Sequence, residues 1–576
     1  MNSGIEPRGE LGDGEGELGV ARRADASQPR LPARTLPERH LEEPEGRTPV
    51  DMRVGTESIP RLQRLGSATQ LIVEGAPFLV LGGELANSSA SDVEYFEPLW
   101  AKLQALNCNT VLAPVYWELL EPVEREFDFT LVDELLEGAR QHRLRLVLLW
   151  FGSFKNSMSC YAPHWVKTHP ERFPRARLPS GRGVEILSAF SRANRAADAH
   201  AFAVLMRHLR RVDDGHRTVL MVQVENEVGM LGAAREHGTA ADAAFAEVVP
   251  PVLLDHLTRH QAEVSPTLRE RWEAAGRHGH GTWEGVFGEG AATEEIFMAW
   301  HYARYVNEVV AAGKSEYPLP MFTNAALNRP GREPGQYPSG GPLPHLLDVW
   351  QVGAPALNLL CPDIYFSDFA KWCEGYHRAG NPLFIPEARR SAESAANAFH
   401  AVGQHDAIGF SPFAIESCDD PAADPITLAY DVLGQLAPLI LAHQGKGSMA
   451  GIALDHNCTK RRVVLGGYTL ELSHDFTWEH SPGAGHEEPW PRAGALVIAA
   501  APDAFTVAGT GVIVTFEPHP AGNEVAGISC IEEGRYMNGR WHPGRRLNGD
   551  ESHQGRHLRI PHGQFGIQRV KLYRYR

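Results

Sequence analysis

Two glutamates stand where apolar segments end. "Gln-Val-Glu-Asn-Glu-Val-Gly" at 223–229 sets Glu227 just past the apolar run 218–225, and Glu387 lies at the close of the run 382–388. A carboxylate at the end of a buried strand needs a partner or a chemical task. Two carboxyl groups facing one polar mouth can cleave a glycosidic bond: one protonates the departing oxygen, and the other attacks the anomeric carbon or activates water. Each Glu read alone is equally well a solvated loop carboxylate, so the assignment depends on whether the preceding elements converge. Other chemistries find less support. His278 and His280 in "RHGHGTW" have no third ligand close in sequence and read as a loop. There is no G-x-S-x-G segment and no phosphate-cradling Gly loop. Cys361 reads as a core thiol.

Eight short runs could carry these residues: 78–85, 110–117, 144–151, 218–225, 320–324, 357–365, 382–388 and 407–415. Each is continuously apolar rather than alternating, the pattern of parallel strands covered on both faces. Amphipathic helices lie between them. One follows Ser91/Asp92 and is interrupted by Pro98, one presents Val132, Leu135, Leu136 and Ala139 on one face, and one spans 196–212. The expected fold is α/β: a (β/α)8 TIM barrel, whose reactive groups emerge at the C-terminal ends of the strands. Glu227 then follows strand four and Glu387 ends strand seven. The expected domains are a disordered tail at 1–55, a catalytic barrel at 56–430 with an insertion at 230–319, and a connecting helix plus β-sandwich-like domain at 431–576. Residues 1–51 read either as a tail or as an extension upstream of a start at Met52.

The 576 residues carry 55 Lys+Arg against 71 Asp+Glu, a net charge of −16, which disfavours nucleic acid or an anionic membrane as partner. The 43% hydrophobic fraction can fill a large core, and no wholly apolar run of membrane-spanning length is visible. Seven widely spaced cysteines without a C-x-x-C pair fit a reducing compartment, and no signal peptide is apparent, so a cytoplasmic protein is expected. A neutral, sugar-like substrate suits this balance, with no cofactor required and with a homodimer among the possible assemblies. Trp117 and Trp283 are the preferred sugar-stacking rings, with core packing as the alternative for each.

The segment at 223–229 resembles the Q-x-E-N-E-Y-G motif of glycoside hydrolase family 35, the β-galactosidases. "Trp117-Glu-Leu-Leu-Glu121-Pro122", "Glu-Phe-Asp-Phe" at 126–129 and "Ala162-Pro163-His-Trp165-Val" resemble further family segments. "GGELANSSAS" at 82–91 and "PHWVKTHPERFPRA" at 163–176 are similar to the bacterial branch with a small C-terminal β domain. The resemblance implies a retaining exo-β-galactosidase acting on a galactoside or oligosaccharide, with Glu227 as acid/base and Glu387 as nucleophile. It further implies Asn226 at the sugar 2-hydroxyl and Tyr365 as a hydrogen-bond donor to the nucleophile. The chain departs from the family at positions that grip sugar. Glu118 replaces an Asn after Trp117, "Phe-Gly-Ser-Phe-Lys-Asn" at 151–156 lacks the loop glutamate, leaving Asn156 or Lys155 to substitute, and Asn324 stands where Thr-Asp is frequent. Action on another sugar, transfer to a sugar acceptor, and non-catalytic carbohydrate binding are the alternatives.

Overall fold

The computed structural model describes residues 59–485 and 490–576. The expected tail at 1–55 and the choice between Met1 and Met52 lie outside the described residues. All eight apolar runs form strands, and these close into a parallel barrel. They are β1 (Val80–Glu84), β2 (Thr110–Tyr116), β3 (Arg145–Lys155), β4 (Val219–Asn226), β5 (Met321–Ala326), β6 (Leu359–Ile364), β7 (Ile385–Ala388) and β8 (Gly409–Pro412). Every residue of β2, β4, β6 and β7 is buried, which is why these runs do not alternate. A small antiparallel sheet, Arg61–Leu65, Ala68–Val73 and Ala76–Phe78, precedes β1.

The flanking helices follow local chemistry. Asp92 caps Tyr95 N at 2.9 Å, and Pro98 splits the first helical segment into Val93–Phe96 and Leu99–Ala105. The helix Thr130–Gln141 buries Val132, Leu135, Leu136 and Ala139, the face read from the sequence. Buried Asp213 closes the helix Arg192–Asp213 and fixes the start of β4: it accepts from Arg140 Nη2 at 2.8 Å, Thr218 N at 3.0 Å and Val219 N at 2.8 Å. The long interval after β4 holds the helices Thr239–Phe245, Pro251–Arg259, Pro266–Ala274 and Trp283–Phe287, then the helix Ala291–Glu316 that leads to β5.

Beyond the barrel, a six-stranded and a four-stranded antiparallel sheet enclose a second core that includes Leu470, Val497, Val507 and Val514. The six-stranded sheet packs on the helix Ala392–His405 with almost no gap. A Cβ on Gly403 would lie 2.7 Å from Gly451 Cα, and one on Gly494 would lie 2.5 Å from Ala396 Cα. The connecting helix expected from 431 begins earlier, at Pro425, and runs to His443. It also departs from the expectation that no segment is long and apolar enough to cross a membrane, having a mean hydropathy of 1.4. Its packing is that of a core helix: Tyr430 donates to the carbonyls of Gly82 and Phe410, both at 2.7 Å, and Val432, Leu433, Leu436 and Ile440 are buried.

Candidate active site

Two residues at the end of β4 have left-handed backbones, Glu225 within it (φ 62°) and Glu227 just past it (φ 48°), an unfavourable conformation for side chains of this kind. Neighbouring strands hold them. Glu227 N donates to Asn324 Oδ1 at 3.0 Å, Asn156 N to the Asn226 carbonyl at 3.2 Å, and Ser157 N to the Glu227 carbonyl at 3.1 Å. Glu225 points behind the strand, where it accepts from Phe154 N at 2.7 Å and faces Asp198. Burial, then the charge of Asp198, raises its pKa well above the carboxylate range. Glu225 therefore braces the end of β3, and Glu227 enters the mouth.

In the mouth, carboxylate oxygens of Glu227, Glu387 and Asp363 all lie within 4.8 Å of one another. Tyr365 donates to Glu387 Oε1, and Asn156 donates to Glu227 Oε2. Asn324 links two members: besides accepting from Glu227 N, it donates from Nδ2 to Asp363 Oδ2 at 2.7 Å. Lys155, 4% exposed, lies over the Phe151 ring and donates to Asn226 Oδ1 at 2.8 Å. That contact turns the Asn226 amide so that its buried Nδ2 has no partner among the described residues.

These groups differ in proton affinity. Burial first, then the charge of Glu387, raises Glu227 to about 7. Burial also raises Glu387, but Lys155 and the Tyr365 hydroxyl oppose it. Lys155 and Tyr365 thus favour the ionised form of Glu387, while Glu227 exchanges its proton near neutrality. Asp363 is pushed well up by burial and by the carboxylates around it, Glu387 foremost. Glu227, Asp363 and Glu387 together offer oxygen ligands of the kind a hard cation takes, and burial of the three would make such a cation displace protons as it binds.

Of the residues singled out in the sequence, Glu227, Glu387, Asn226, Asn156, Asn324 and Tyr365 come together here. Trp117 does not: it is fully buried, donates to Glu121 Oε2 at 2.9 Å and packs edge-on against Trp165. Trp283 is likewise core, against Phe287 and Phe297. Neither ring is open to stack on a sugar. Glu118 pairs with Lys167 at 3.0 Å and touches neither catalytic candidate. Glu84 and Asp363 were not singled out, although each is an acidic residue inside an otherwise apolar run and could have been found on that ground.

Residues 91–275, which cover β2 to β4 and Glu227, match the glycoside hydrolase family 42 model, described as "Beta-galactosidase". The match spans about half of the barrel. Residues 426–559 match a second model, described as "Domain of unknown function (DUF5597)". The family model that matches this part of the barrel is thus that of family 42 and not of family 35. No curated protein matches the chain. Among solved structures it is similar to β-galactosidases from Marinomonas ef1 (13% identity, TM-score 0.43), Rahnella sp. R3 (14%, 0.43) and Bacillus circulans sp. alkalophilus (14%, 0.42). The alignments cover 63% of this chain and 61%, 57% and 57% of those chains, so the chain spans about three fifths of their length.

Proposed function

We propose that the protein is a retaining exo-β-glycosidase, most simply a β-galactosidase, working by double displacement. The observation that carries this reading is the approach of Glu227 and Glu387 oxygens to within 4.8 Å. Retaining enzymes set their carboxyls about 5–5.5 Å apart, whereas inverting enzymes leave about 6.5–9.5 Å for a water. The proton distribution agrees. Ionised Glu387, oriented by Tyr365, attacks the anomeric carbon, and protonated Glu227 delivers its proton to the leaving oxygen. Glu227, now ionised, then deprotonates the water that releases the sugar. Asn226 offers its unpartnered amide to the 2-hydroxyl. The family 35 kinship, a cytoplasmic location and the galactose specificity are parts of the same proposal.

Proton NMR of the first-formed product on an aryl β-galactoside tests it. The β anomer is expected to appear before mutarotation, and an α anomer formed first refutes the nucleophile assignment. A panel of aryl β-galactoside, β-glucoside and β-xyloside identifies the sugar.

A further inference from the structure

Glu84 is the last residue of β1 and is 1% exposed. No described residue hydrogen-bonds its side chain, and its Oε2 is buried without a partner. The alternation of the strand gives its direction. Leu81 reaches Gly434 on the outer helix, and a Cβ on Gly83 would run into Ile415, whereas one on Gly82 would meet Ser411 and Leu112 on the two neighbouring strands. Gly82 and Glu84 share the face opposite to Leu81 and Gly83 and point into the barrel. There Glu84 feels the charges of Glu387, Lys155, Glu227 and Glu416. A buried carboxyl with no partner is costly, and the cost is tolerated where a ligand supplies the partner.

Glu84 does not stand alone. Asp363 Oδ1, Glu387 Oε2 and Glu416 Oε2 are also buried acceptors without donors. The other oxygen of Glu416 is fixed by Ala86 N at 2.8 Å and Ser89 Oγ at 2.6 Å, which anchors the loop after β1 to the loop after β8. Glu227 on β4 and Glu387 on β7 grip the anomeric end of a sugar, so the side toward β1 and β8 receives the hydroxyls remote from it. We propose that Glu84 is a substrate-binding residue that holds those remote hydroxyls of the glycone, and that its carboxyl with that of Glu416 restricts the pocket to uncharged sugars. This rests on the glycosidase reading. A hydroxyl-rich pyranose satisfies the orphaned oxygens by donating to them, whereas a uronic acid would add a further carboxyl, with no hydrogen to donate when ionised, to a group that already lacks donors.

The test combines Glu84→Gln with deoxy substrates. For the wild type, kcat/KM on nitrophenyl β-galactoside is expected to exceed that on the 4-deoxy or the 6-deoxy analogue, and that on the galacturonide by at least about 100-fold. E84Q is expected to lose about 10–100-fold on the parent substrate with Tm unchanged or raised, and to penalise the same deoxy analogue far less than the wild type does. The proposal is overturned by wild-type kcat/KM in E84Q, by deoxy penalties that simply add to that of E84Q, or by comparable rates on galactoside and galacturonide. If the wild type releases no sugar from any aryl glycoside, the glycosidase reading has failed. Calorimetric binding of lactose and of galacturonic acid to the wild type and E84Q then decides the question of Glu84. Lactose binding that weakens in E84Q, with no galacturonate binding to the wild type, sustains it, and equal lactose affinity overturns it.

Discussion

Neutralising Glu387 should lower the proton affinity of Glu227. The charge of Glu387 lies within 4.8 Å, where two unit charges at an effective dielectric of about 20 repel by about 3.5 kcal/mol, about 2.5 powers of ten in proton affinity. That would by itself account for the whole rise of Glu227 from 4.5 to about 7, yet burial is the larger cause. The repulsion must therefore be more strongly screened, and Lys155, which lowers both carboxyls, is placed to do so. The charge of Glu387 therefore supplies the smaller part of the rise. In Glu387→Gln the midpoint of Glu227 should fall below about 7. Carbon-13 NMR of protein labelled at the glutamate carboxyl reads this directly, with Glu227→Gln identifying the resonance, and needs no turnover. A midpoint that stays near 7 or rises would show that the two groups are not electrostatically linked. The acid/base assignment drawn from their proximity would fall with it.

Tyr365→Phe removes the hydroxyl donor from Glu387, so the acidic limb of kcat/KM should move to higher pH with a loss of about 10–100-fold, the worth of a hydrogen bond to a charged group; an unmoved limb would exclude the contact. Asn156→Ala removes a donor that favours ionised Glu227, so the alkaline limb should shift upward and turnover fall about 10-fold, and a downward shift would contradict the geometry. Glu84, Asp363, Glu225 and Glu227 all have raised pKa values in the folded chain, which therefore binds more protons than the unfolded one once pH exceeds the ordinary carboxylate range. The associated stability is complete below about pH 4.5 and is lost as pH climbs through the folded values, about 7 for Glu227. Between pH 5 and 8 Tm should decline, and Glu225→Gln should flatten the decline; a Tm that climbs with pH over that range would contradict the assignments.

The strands were legible because a barrel strand is covered on both faces and leaves a continuous apolar run, and each run was followed or closed by the residue that matters, Glu227 after β4 and Glu387 in β7. Environment was not legible in the same way. Trp117 and Trp283 offer the right ring for stacking, but only packing shows that Glu121, Phe287 and Phe297 enclose them. Asp363 and Glu84 sit inside apolar runs, where a single acidic residue reads as the end of a strand. Their meaning comes from Asn324 on one side and from the absence of any partner among the described residues on the other, both products of three-dimensional closure. Glu225 and Glu227 differ by two positions and would share a face in a regular strand. The left-handed backbones at both residues send one behind the barrel and one into it.

The helix Pro425–His443 has two employers. Its Tyr430 hydroxyl ties the carbonyls of Gly82 and Phe410 together across β1 and β8, and Gln435 on the same helix accepts from Tyr536 N in the six-stranded sheet. The seam that closes the barrel is thus stitched by the element that carries the sandwich. A chain cut at 430 would keep the tyrosine but lose the helix that aims it, leaving the β1–β8 seam, and Glu84 at its rim, without a clasp. The two layers are accordingly fastened through one helix, and a barrel shortened to its strands forgoes that fastening.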